Sequence, residues 1–143
     1  MNREQIYESL FNKVATIPGF VTTGRKLKHY ADLAASEQPA IFQTQTGEVV
    51  HKNVNTPYWF DFTVALYVYV NTSADPEAVP ATQINNLLDA IVETLAPNWT
   101  GYQTLDGLVF NVVIDGTIET DEGVLGDQAY AIIPIKITVQ NDK

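Results

Sequence analysis

The stretch YWFDFTVALYVYV at residues 58–70 constrains this chain more than any other. Its even positions, Tyr58, Phe60, Phe62, Val64, Leu66, Val68 and Val70, are all apolar. Its odd positions, Trp59, Asp61, Thr63, Ala65, Tyr67 and Tyr69, are mixed. A period of two with one dry face predicts a strand in a sheet that rests one side on a core. Thirteen residues at ~3.3 Å each span about 43 Å, longer than a typical strand. Part of it is therefore expected to project past the body of the domain.

Helical periods flank that strand. Ile6, Leu10 and Val14 recur at i+4, widened by Tyr7 and Phe11; Asn2 is placed to cap them, and Pro18-Gly19 to stop them. Ile84, Leu87, Leu88, Ile91 and Leu95 form a second apolar stripe, ended by Pro97. FVTTGRKL reads as a short strand and HYADLAASEQP as an irregular link. A strand follows at PAIF, and then residues 44–57, rich in Thr, Gln, Asn and Gly, read as a mobile excursion. Two strands close the chain: Leu108, Phe110, Val112 and Ile114 share one face, as do the odd positions from Ala129 to Val139. Pro134 donates no hydrogen bond, which predicts an edge strand or a bulge there. The 143 residues are expected to form a single domain. The expected fold is α+β in the order α-β-β-β-α-β-β. It has a mainly antiparallel or mixed sheet of about five strands with both helices on one face.

Charge is unevenly placed. Residues 1–71 balance six acids with six bases, whereas residues 72–143 carry eleven acids against Lys136 and Lys143. Such an acidic half is unsuited to gripping a phosphate backbone. Asp115, Glu119, Asp121, Glu122 and Asp127 lie in one connection. The calcium-loop spacing is absent, and neither His29 nor His51 neighbours the cluster, so it reads as a solvated connection. A metal-dependent hydrolase using Asp115, Glu119 and Asp121 is the rival reading. No nucleophile elbow or phosphate-cradling glycine loop occurs, and the lack of cysteine removes thiolate catalysis and disulfides. The chain is read as a non-enzyme that needs no cofactor. No apolar run approaches the roughly 20 residues of a membrane span, and the N-terminus lacks the layout of a signal peptide.

Arg25, Lys26, Lys28 and His29 cluster in GRKLKHY, with Arg25 and Lys26 expected on opposite faces of a strand. They read as charges that guard an edge strand, or as a contact with the acidic half of a neighbouring copy. Trp59, Tyr67 and Tyr69 are expected beneath a helix, with an exposed aromatic interface as the alternative.

Several segments together resemble the tail terminator (tail completion, minor tail) proteins of long-tailed bacteriophages. They are QPAIF at 38–42, the strand ending LYVYV, INNLLDAI at 84–91, GYQTLDGLVFNVVIDG, and DEGVLGDQAYAIIPIKITV. The likeness covers roughly residues 25–139 and rests on order and wording, not on a catalytic signature. Relatives usually read T-L-G-G-L-V, and Asp106 stands here in the first glycine place. The resemblance implies a subunit of a homohexameric ring that caps the tail tube at its final length and then meets the head connector. Its partners would be itself, the tube protein and connector proteins, with DNA only passing through. Its place would be the neck end of a virion tail, after assembly in the host cytoplasm. Another ring-forming neck or head–tail joining protein is the alternative. Expected contacts with a neighbouring subunit or the tube are Arg25, Lys26, Lys28, His51 and Lys52. Trp59, Tyr67, Tyr69, Asp121 and Glu122 complete that expectation.

Overall fold

A computed structural model describes residues 1–122 and 126–141. Helix α1 (Arg3–Ala15) starts where Asn2 accepts a hydrogen bond from the Gln5 backbone, 3.0 Å. Strand β1 (Thr22–Gly24) follows, and two short 3-10 turns (Tyr30–Asp32 and Ala35–Glu37) lead to β2 (Ala40–His51). Strand β3 (Tyr58–Asn71), helix α2 (Pro80–Thr94), β4 (Asn111–Ile114), β5 (Glu119–Asp121) and β6 (Gln128–Asn141) complete the order. The sheet runs β1-β2-β3-β6-β4, with β5 also paired to β6. Among the described residues only β1 with β2 is parallel, so the sheet is mixed and has six strands rather than about five.

β3 and β6 pair antiparallel from Tyr58↔Asn141 to Asn71↔Gln128. The even residues Phe60 to Val70 of β3 and the odd residues Ala129 to Val139 of β6 face the same core. Ile6, Leu10 and Val14 from α1 and Ile84, Leu87 and Ile91 from α2 join that core, so both helices cover one face. The α+β arrangement read from the sequence is thus the observed one.

Two local expectations fail, and a third, the solvated acidic connection, holds with its acids exposed or half-exposed but gains a short strand. Residues 44–51 are not a mobile excursion but the far half of β2, paired with β3 out to His51↔Trp59 around a bulge between Gln45 and Gly47. Only 52–57 make the connection. The acidic connection contains β5, with Asp121 opposite Tyr130; its residues 123–125 lie outside the described residues. β6 is neither an edge strand nor bulged: it pairs with β3 on one side and with β4 and β5 on the other. Pro134 is tolerated because its missing donor points at the gap between β4 and β5. There its carbonyl accepts from the Asp115 amide, 3.0 Å, and residues 115–118 bow past it.

The far half of the β2–β3 hairpin is pinned from both faces. On the helix side, Arg3 donates two hydrogen bonds to the Glu48 carboxylate, 2.7 and 3.1 Å, and lies 5.2 Å over the Phe60 ring. On the other side, Asp61 accepts from His51 at 2.9 Å and from the Thr138 hydroxyl at 2.8 Å, which ties β2, β3 and β6. Burial alone would raise the Asp61 carboxyl. The hydrogen bonds from His51 and Thr138, with the charges of His51 and Lys136, outweigh it and hold the group below its usual range.

Two outcomes test this packing. Ile91 is fully buried while Leu88 is half-buried, so Ile91→Ala should cost about 2–5 kcal/mol in denaturant titration and Leu88→Ala about 1–2 kcal/mol. A carboxyl with a lowered folded pKa stabilises fully above its unfolded value, about 3.9, and loses that contribution as pH falls through the folded value. Asp61→Asn should therefore cost on the order of 1 kcal/mol at neutral pH, and the gap to wild type should close below about pH 4. A gap that stays constant from pH 7 to pH 3 would contradict the clamp.

Candidate functional site

The second face of the sheet carries no helix among the described residues. Trp59, Tyr67 and Tyr69 all lie on it, contrary to the expectation that a helix covers them. The reason is that α1 and α2 both follow the apolar stripe of the opposite face. Tyr69 is buried instead by the segment around the first 3-10 turn, where Leu33, Ala40 and Phe42 join it and Tyr30 meets it edge-on at 6.0 Å. That burial pushes the Tyr69 phenol above its usual range. Tyr67 remains half-exposed beside Tyr130 and Ile132. Trp59 stands eight residues before Tyr67 at the hairpin end, edge-on to Phe110 at 5.3 Å, and Phe110 packs on Tyr102 at 4.9 Å. The three aromatics therefore belong to two separate patches, about 26–33 Å apart along the strand.

The cations divide similarly. Arg25 and Lys26 follow β1 rather than alternating within it, since β1 ends at Gly24. Arg25 is engaged by Glu4 in the first turn of α1, and its hydrogen bond holds the Glu4 carboxyl below the usual range. Lys52 donates to the backbone oxygens of Asn53 and Thr56 and so closes the hairpin turn. His51 belongs to the Asp61 clamp. Lys26 and Lys28 are exposed just beyond β1.

Acids occupy the far side. Glu119 and Glu122 are exposed, and Asp121 is half-exposed, in and just after β5. Asp115 lies 3.7 Å from the Lys136 ammonium. Among the described residues no three His, Cys, Asp or Glu side chains gather as a metal-binding group. No described helix is long and apolar enough to cross a membrane.

The register relates these two edges in a way the sequence conceals. Thr23 pairs with Ile41, Ile41 with Val68, Val68 with Ala131, and Ala131 with Thr120. Thr23 and Thr120 are thus the two exposed ends of one row across the sheet. β1 lies within FVTTGRKL, which reads as a short strand, whereas the three residues of β5 have no periodicity to read. Sequence reading also missed Gln38 and Gln128. Their amides exchange hydrogen bonds of 3.1 and 2.9 Å and lock the entry of β2 against the start of β6.

No family model matches the chain, and no curated protein matches it. Among solved structures, the chain is similar to one in a structure described as the virion of a native gene transfer agent particle. That likeness covers 95% of each chain at 9% sequence identity, with a TM-score of 0.57. It is a likeness of fold.

Proposed function

We propose that this chain is a structural, non-enzymatic component of a phage-like virion. More specifically, it acts as a tail terminator subunit that closes into a homohexameric ring. The ring caps the tail tube at its final length and offers its other surface to the head connector. The observation that carries the reading is the likeness of fold over 95% of both chains to a component of a gene transfer agent virion. It joins the resemblance in wording to tail terminators over roughly residues 25–139. A subunit with unlike edges also suits a heterologous interface, in which one patch meets a different patch on the next copy. Acids that line a channel would repel passing DNA phosphates.

On this reading Lys26 and Lys28 are contacts with the next subunit, and so are Asp121 and Glu122. Tyr67 and Trp59 lie on separate patches of the open face, where the tube or the connector could seat. Arg25, His51, Lys52 and Tyr69 serve the subunit's own structure first. Another neck or head–tail joining ring protein is the nearest alternative. A hydrolase using Asp115, Glu119 and Asp121 finds no convergence of three acids among the described residues to work with.

Negative-stain microscopy of the purified protein, alone and mixed with tail tubes, tests the proposal. The expected result is discrete six-fold rings that sit at one end of each tube and stop further tube growth. Protein that neither forms rings nor binds tube ends would overturn it.

A further inference from the structure

We infer that successive copies of this chain join edge to edge, with β1 of one copy set antiparallel against β5 of the next. The inference rests on the ring reading above and assigns its interface.

Four observations converge. The two strands are the opposite margins of the sheet, with β1 beyond β2 and β5 beyond β6. Both are exposed: Thr23, Glu119 and Thr120 face solvent. Their directions are opposed, because β1 is parallel to β2, and three antiparallel steps then lead through β3 and β6 to β5. A neighbour placed alongside without inversion therefore presents β5 antiparallel to β1. The levels also agree. Thr22, Thr23 and Gly24 stand in the rows that end in Asp121, Thr120 and Glu119 respectively. Four inter-strand steps of about 4.8 Å separate the two margins, so the same row resumes in the next copy after roughly 24 Å.

Charge completes the match. Beyond Gly24 come Lys26 and Lys28, exposed and with no carboxylate within ion-pair distance among the described residues. In the juxtaposed copy they fall beside the Glu119 end of β5. The contact joins unlike patches, so it propagates in one direction and closes when the rotation per copy divides the circle. Three-residue edges supply few backbone bonds, and the opposite charges choose the partner and its register.

The chain has no cysteine, so introduced thiols report this geometry without background. Thr23→Cys with Thr120→Cys in one chain should oxidise into a ladder that ends at a closed species, since a disulfide needs Cα atoms within about 7 Å. A mixture of the two single variants should stop at a heterodimer. Lys26→Glu should weaken association tenfold or more in sedimentation at low salt, and adding Glu119→Lys to the same chain should restore it. Rings visible by microscopy without a ladder would overturn this pairing and leave the ring reading standing. Absence of both rings and ladder would overturn the ring reading and this pairing with it. Association indifferent to Lys26→Glu and to 1 M salt would overturn the electrostatic half.

Discussion

The antiparallel register of β3 against β6 is the constraint on which the remaining structure hangs. Fourteen residues of each strand pair without a break, and each strand sends every second side chain to the helices. A slip of one residue would turn Phe62, Val64 and Leu66 toward water and Asp61 and Thr63 toward the core. The register therefore fixes the helix face first. β2 then adds to the free side of β3, and β4 with β5 to the free side of β6. Even the clamp of His51, Asp61 and Thr138 exists only because Asp61 stands opposite Thr138 in this alignment.

The same dependence explains which parts of the fold were legible in the amino-acid sequence. α1, β3, α2 and β6 each bury one face against a common core, and burial writes a period of 3.6 or 2 into the residues. The far half of β2 buries almost nothing, so QTQTGEVVH follows no alternation and reads as a loop although it pairs out to His51. β5 is too short to show any period. Asp106 shows the reverse case. The backbone is left-handed at that place, φ 60°, followed by Gly107 at φ 86°. Asp is among the few residues besides glycine that accept such a conformation, so it suits the turn.

The candidate interface was only half legible, for a different reason. Composition counts charges, but it does not say which are already engaged. Arg25 is taken by Glu4, Lys52 by the hairpin turn, and His51 by Asp61. Once these are removed, the basic segment reduces to Lys26 and Lys28. Of the acidic half, Asp115, Glu119, Asp121 and Glu122 gather at or beside the β5 margin, whereas Asp75, Glu77, Asp89 and Glu93 lie around helix α2. The meaningful quantity is then the separation of the two signs on opposite edges, which topology creates and the linear order hides.

The hairpin has a consequence for how the chain survives before it meets any partner. β1 pairs only with residues 40–42, so among the described residues no strand pairs with the outer rim of β2 from Thr44 to His51. Val49 and Val50 are exposed on it. A bare rim of that length invites stacking of freshly made chains into fibrils. The countermeasures are local: a bulge between Gln45 and Gly47 breaks the straight run, and Glu48 is drawn toward Arg3. The bulge and the Arg3–Glu48 pair thus blunt this rim against strand addition while the same pair pins the hairpin to α1.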